Sequence, residues 1–285
     1  MRSPIRWFGG KGMMVKKILP LLPSHRTYVE PFGGGASVLL AKDPSPVEVY
    51  NDVDSGLVSF FRALRDKKTF ARLHGKLLLT PYSREEHRFC TETWDSSEDL
   101  VERAYRWYVA CVQSFSGGFG QGWSSVVTQS RRGMASTAAI WKSKMELLPV
   151  VHQRLIRVQI EHRDWRYIVA RYDRPETLQY IDPPYVQSTR SGGSFRHDMS
   201  DSEHAALVNS LLGLEGMAVV SGYDHRIYRR LDEAGWSKHE FNTACHAAGK
   251  SRTSGLLGPG STTKHAPRTE VVWVSPRGQR GRNRG

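Results

Sequence analysis

Thr27-Tyr28-Val29-Glu30-Pro31-Phe32-Gly33-Gly34-Gly35-Ala36-Ser37-Val38-Leu39-Leu40, followed by Val47-Glu48-Val49-Tyr50-Asn51-Asp52, is the stretch whose pattern decides the fold. A short β-branched and aromatic run leads into a proline and three glycines. A helical apolar segment comes next, and a second apolar run closes on Asp52. The order strand, turn, helix, strand is the unit of a parallel sheet. Gly33 and Gly35 stand where a backbone turns sharply and approaches a ligand closely, although glycines also serve in a plain turn. Asp52, at the end of the next strand, has the spacing at which an acidic side chain accepts hydrogen bonds from a ribose. Together these residues describe an adenosine-type nucleoside site.

Working outward, strand signals return after residue 155, in Arg157-Val158-Gln159-Ile160, Leu178-Gln179-Tyr180-Ile181, Met217-Ala218-Val219-Val220 and Val271-Val272-Trp273-Val274. Among them Ser200 to Leu212 predicts a helix, with Ser200 and Glu203 at capping-box spacing and Gly213 as a stop. Residues 57–154 read differently. They are mainly helical, and from Glu98 to Phe115 the positions Val101, Tyr105, Tyr108, Val112 and Phe115 recur every three or four residues, predicting a core face. The Gly/Ser-rich stretch Ser114 to Trp123, with Arg131 and Arg132 beyond it, predicts an exposed loop or hairpin whose aromatics have little helix to pack on. The expected organisation is an α/β, Rossmann-like sheet domain built from 1–56 and 155–275, a helical insertion at 57–154, and a basic tail at 276–285. That tail holds Arg277, Arg280, Arg282 and Arg284 with no acid, and is expected to be flexible.

Charge and composition narrow the partners. Against 28 Asp+Glu the 285-residue chain carries 41 Lys+Arg, a formal net charge of +13, so nucleic acid is the first partner to consider and an acidic membrane surface the second. The 39% hydrophobic content excludes a wholly disordered chain, and no apolar run reaches the roughly 20 residues that cross a bilayer. The start carries charge without an apolar h-region, which predicts a cytoplasmic location. Cys90, Cys111 and Cys245 are far apart, arguing against a disulfide framework and a cysteine zinc site, and the 11 histidines show no paired ligand spacing. No metal is expected. Gly249-Lys250-Ser251 lacks the first glycine of a P-loop, because Ala244 stands there, so nucleotide hydrolysis loses its main support.

Asp182-Pro183-Pro184-Tyr185 follows the apolar run that ends at Ile181 and should project from the carboxyl end of a strand, where open α/β sheets place ligands. An exocyclic amine conjugated with an aromatic ring is a poor nucleophile, because its lone pair is delocalised. A carboxylate and a backbone carbonyl that accept its two N–H bonds favour the pyramidal nitrogen needed for attack, and an aromatic ring holds the base by stacking. Prolines stiffen such a turn and leave a carbonyl unpaired. Ser221-Gly222-Tyr223 reads either as a wall of the base pocket or as a plain strand end. The loop Gln187 to His197, with Arg190 and Arg196, either closes over an extruded base, contacts phosphates, or is an ordinary loop.

Arg6-Trp7-Phe8-Gly9-Gly10-Lys11, then Val29 to Val38, then Tyr180 to Tyr185 resemble, in that order, the signature of Dam-type DNA adenine-N6 methyltransferases. The resemblance implies a class I methyltransferase sheet that uses S-adenosylmethionine, with residues 57–154 as an inserted target-recognition domain. It also implies that Trp7 and Lys11 line the cofactor pocket with the Pro31-Phe32-Gly33 and Gly35 turn. Asp52 would hold the ribose, Asp164 would lie by the adenine ring, and Asp182 would lie between cofactor and target amine. Asp164-Trp165 departs from the family's commoner Asp-Phe, and Gly34 stands where many relatives carry a bulkier residue. The expected partner is double-stranded DNA, contacted by Arg131, Arg132, Arg190 and Arg196, with the protein a monomer or homodimer and a restriction enzyme a possible companion. The alternatives are an acceptor adenine in RNA, a cytosine amino group, or a DNA-binding relative without activity.

Overall fold

The computed structural model describes residues 1–7, 9–115, 118–189, 196–244 and 267–282. Phe8, Arg190, Cys245 and the Gly249 to Ser251 segment lie outside the described residues. Contacts divide the chain into two compact units, one of Met1–Pro20 with His25–Tyr172, the other of Leu21–Ser24 with Asp173–Gly285.

In the first unit a short helix α1 (Val15–Ile18) precedes β1 (Thr27–Glu30), α2 (Ser37–Ala41) and β2 (Val47–Asn51). Helices α3 (Ser55–Arg65), α4 (Lys67–Leu78), α5 (Arg84–Thr93) and α6 (Leu100–Val112) follow. A two-residue hairpin, β3 (Ser130–Arg131) and β4 (Met134–Ala135), leads into α7 (Ser136–Leu155), and β5 (Gln159–Glu161) and α8 (Trp165–Arg171) complete the unit. β2 pairs in parallel with β1 on one side, Val29 opposite Val49, and with β5 on the other, Tyr50 opposite Ile160. The expected strand-turn-helix-strand unit is therefore present.

The helices start where acidic or hydroxyl side chains cap them. Asp54 accepts from the backbone N–H of Gly56 and Leu57, Asp99 from Val101 and Glu102, and Ser83 from Glu86. Val101, Tyr105 and Tyr108 are buried as expected, and Phe60 stacks on Tyr108 with ring centroids 4.4 Å apart. Phe115 corrects the helical reading: α6 stops at Val112, and Phe115 is 53% exposed. A second correction concerns the Gly-rich aromatics. Phe119 packs against Trp94 and Trp107, and Trp123 lies 5.3 Å from the Tyr82 ring with the Arg84 guanidinium over it. Trp107 lies on α6 and Arg84 on α5, while Tyr82 and Trp94 flank α5 at its two ends.

A buried ion triad sits under β2. Glu48 pairs with Lys42 at 2.9 Å and with Arg154, all three essentially removed from solvent, and Arg154 Nη2 also donates to the Leu39 carbonyl at 2.9 Å. Burial opposes ionisation of Glu48, but hydrogen bonds from Arg154 and Lys42 outweigh it and hold the carboxyl below the usual range.

In the second unit β6 (Thr177–Ile181) is buried along its whole length. α9 (Asp201–Leu212) follows, then β7 (Met217–Tyr223), α10 (Arg229–Glu233), β8 (Ser237–Ala244), β9 (Pro267–Val274) and α11 (Pro276–Arg282). β6 and β7 are parallel, and β9 runs antiparallel between β7 and β8. The expected capping box of Ser200 and Glu203 is formed. β8, whose residues Ser237 to Ala244 are largely polar, had no sequence signal. The flexible tail is corrected for its first seven residues, which form α11: Arg277 donates to the Glu215 carbonyl, and Gln279 Nε2 donates to the carbonyls of Gly235 and Val274. Parallel strands joined through helices, with an antiparallel β8–β9 pair, make the chain a mixed α/β, Rossmann-like protein. No described helix is long and apolar enough to cross a membrane.

Candidate active site

In the first unit the sequence-predicted Gly turn and Asp52 lie together at the carboxyl ends of β1 and β2. Gly33 N–H donates to the Asn51 carbonyl at 2.7 Å, and Gly34, at a φ of +46°, donates to Asp52 Oδ2 at 2.8 Å. Asp52 Oδ1 accepts the Asp54 N–H at 2.8 Å, so both oxygens of this carboxylate brace the backbone. The missing side chains of the glycines have a definite use. A Cβ at Gly33 would overlap the Tyr50 ring, and one at Gly34 would come 2.8 Å from Trp7 Cδ1. The glycines admit these two aromatics as well as the turn.

Tyr50 Oη donates to the Gly34 carbonyl at 2.8 Å; burial, with nearby Asp52 adding, raises its pKa well above the ordinary phenol value and keeps it a donor. Asn51, which like Tyr50 the sequence reading gave no site role, sends Nδ2 to the carbonyls of Pro31 and Arg163 and accepts from Arg163 N–H, tying the turn after β1 to the end of β5. Its signal was a polar residue at the last position of an apolar strand.

Of the remaining sequence-predicted residues in this unit, Trp7 lies against Gly34, and buried Lys11 donates to the Gly9 carbonyl at 2.8 Å. Phe32 lies 6.1 Å from the Trp165 ring. Asp164 is exposed, caps α8 by accepting from Arg166 N–H, and pairs with that residue's guanidinium at 3.2 Å. Arg131 and Arg132 are exposed on the β3–β4 hairpin, Arg132 with a φ of +55°. The structure brings Trp7 and Asp52 to Gly34, and an aromatic face and a carboxylate at a Gly turn are groups that can hold a nucleoside.

In the second unit the sequence-predicted residues follow the end of β6. Asp182 leaves the buried end of β6, half-buried, and its Oδ1 accepts from Ser221 Oγ at 2.8 Å. Pro183 is buried and Pro184 half-buried, and neither has an N–H to give. Tyr185 is 8% exposed and meets the Tyr223 ring at 4.6 Å and 67°. Burial, followed by the nearby Asp182 carboxylate, raises the Tyr185 pKa well above the ordinary value, so the phenol stays neutral. Arg196 is exposed. Of Ser221-Gly222-Tyr223, whose two readings the sequence left open, the structure puts Ser221 on Asp182 and Tyr223 on Tyr185.

A family model described as D12 class N6 adenine-specific DNA methyltransferase matches residues 7–223, well over half of the chain, spanning the Gly turn and Asp182. A comparison with curated proteins returned no match.

Proposed function

We propose that this chain, which belongs to the D12 class of N6 adenine-specific DNA methyltransferases, takes its methyl group from S-adenosylmethionine and delivers it to adenine drawn out of duplex DNA. The family makes the protein an enzyme that methylates adenine N6 in DNA; the donor, the extrusion of the base and the residue roles are the proposal. The observation that carries it is Asp182, a carboxylate at the end of a buried strand with one oxygen held by a side chain and an aromatic residue three positions on.

In this reading Trp7, Lys11, the Pro31-Phe32-Gly33 turn, Gly35 and Asp52 hold the donor, with Asp164 beside its adenine ring. When bound, the donor supplies a sulfonium, an already activated methyl group that needs no metal. Asp182 and the carbonyl of Pro183 accept the two N–H bonds of the target amine, which localises the nitrogen lone pair for in-line attack. Pro183 and Pro184 keep that carbonyl in place, and Tyr185 stacks on the extruded base. Residues 57–154 choose the target sequence, with Arg131 and Arg132 on their hairpin reading guanine or gripping phosphate, and Arg190 and Arg196 meeting the DNA backbone.

Tritium-methyl transfer from S-adenosylmethionine onto defined DNA and RNA, with sequencing of modified bases in DNA from expressing cells, tests the reading. Label on N6 of adenine in duplex DNA within one sequence context supports it. Label on cytosine or on RNA alone overturns the acceptor, and cofactor binding without transfer overturns the activity.

A further inference from the structure

Asp182 accepts the amine in the reading above, and the present inference rests on that reading. An aspartate carboxylate turns about a broad χ2 well, so something must hold it if one oxygen is to face the substrate. We propose that Tyr180 and Ser221 form a two-hydroxyl relay that fixes Oδ1 of Asp182 and presents Oδ2 to the target amine.

Strand register sets up the contact. Ile181 of β6 pairs with Val220 of β7, so Asp182 and Ser221 leave that pair side by side. Ser221 is 1% exposed, and its Oγ lies 2.8 Å from Asp182 Oδ1 and 3.0 Å from Tyr180 Oη, itself on a side chain 3% exposed. Its other acceptor, the Ile181 carbonyl, is at 3.5 Å, the outer limit of a hydrogen bond.

Proton counting gives the chain a direction. An ionised carboxylate only accepts, so the single Ser221 hydroxyl proton goes to Asp182. The phenol of Tyr180 therefore donates into the Ser221 oxygen. The order is Tyr180 to Ser221 to Asp182, each donor polarising the next.

This arrangement differs from what a buried strand serine needs for its own satisfaction. The Ile181 carbonyl on the neighbouring strand would serve, yet the closest partner is the carboxylate. Neither hydroxyl touches the base in this scheme, so both are positioning residues. Their loss should slow the chemical step while leaving the assembly of the ternary complex alone.

The test uses the full chain and single-turnover methyl transfer at saturating donor and DNA, with KM measured for each. Ser221→Ala should lower kcat about 10- to 100-fold, the range for a hydrogen bond to a charged group, with both KM values within about 3-fold of wild type. Ser221→Thr, which keeps the hydroxyl, should recover most of the rate. Tyr180→Phe should lose less, about 3- to 10-fold, and Tyr180→Phe combined with Ser221→Ala should be no slower than Ser221→Ala alone, because Tyr180 acts only through Ser221. Tyr180→Phe removes one oxygen from a buried ring and reports on the relay even if Ser221→Ala fails to fold.

Wild-type kcat in folded Ser221→Ala, losses that multiply in the double variant, or an effect confined to KM would each overturn the relay. Asp182→Ala is run alongside. If it is inactive while folded Ser221→Ala and Tyr180→Phe keep the wild-type rate, the relay alone falls. If Asp182→Ala is itself active, the reading of Asp182 falls and the relay with it.

Discussion

Two aspartates at the carboxyl ends of parallel strands, one in each unit, are held in opposite ways. Asp52 after β2 spends both oxygens on backbone N–H groups of Gly34 and Asp54, whereas Asp182 after β6 has Oδ1 bonded to a serine hydroxyl. The first carboxylate is part of the scaffold of its turn. The second has its Oδ1 on a side-chain hydroxyl from the neighbouring strand. A residue type and strand position shared by two sites thus say little about how each carboxylate is held.

The comparison breaks most easily beneath the first site. Glu48→Gln should leave the buried cations Lys42 and Arg154 without their counter-ion and cost about 3–5 kcal/mol, read as a fall in the urea midpoint. Because the folded pKa of Glu48 is depressed, its contribution is complete above the ordinary carboxylate value of about 4.3 and is lost as pH falls below that through the folded value. Wild-type stability should decline across that acid window, and the variant should decline less. Equal acid slopes would show that the triad does not stabilise the β2 scaffold.

Asp182→Ala should be the reverse case, with a rate loss on the order of 10² to 10³ and a melting temperature close to wild type. Comparable melting losses in Asp182→Ala and Asp52→Ala would erase the distinction between the two sites. Asp52→Ala should weaken donor binding by about 1.5–3 kcal/mol in calorimetry without DNA. It should also lower stability by about 1–3 kcal/mol, since two N–H groups lose their acceptor. Unchanged affinity would remove Asp52 from the donor site and leave it the turn's brace.

The smallest effects belong to the carboxyl end. Deletion after Ser275 removes α11 and should lower stability through the lost Arg277 and Gln279 contacts. Arg280→Gln with Arg282→Gln should flatten the slope of log DNA affinity against log salt by at most about 0.9 per arginine. An unchanged slope would confine those arginines to no DNA role.

The strands of both units other than β8, the capped helix α9 and the helical character of residues 57–154 were legible because they follow from local periodicity and caps, which any short window of sequence carries. Phe115 was misread because helical spacing continues past Val112 where the helix does not. Phe119 and Trp123 were left without partners because theirs, Tyr82, Arg84, Trp94 and Trp107, lie outside the loop, on and beside α5 and on α6. β8 escaped because a polar strand has no apolar period, and α11 because arginine, glycine and glutamine resemble a linker until Gly235 and Val274 supply acceptors.

The amino-acid sequence by itself determined the α/β class, the Gly turn, Asp52 and the Asp182 to Tyr185 run, together with the family these motifs resemble, since each is a local pattern of residue types. Only tertiary structure decided that Asp52 braces its own turn, that Tyr50 and Trp7 occupy the space the glycines leave, and that the Ser221 hydroxyl donates to Asp182. Those contacts depend on strand register, which pairs residues dozens of positions apart and leaves no trace in a local window.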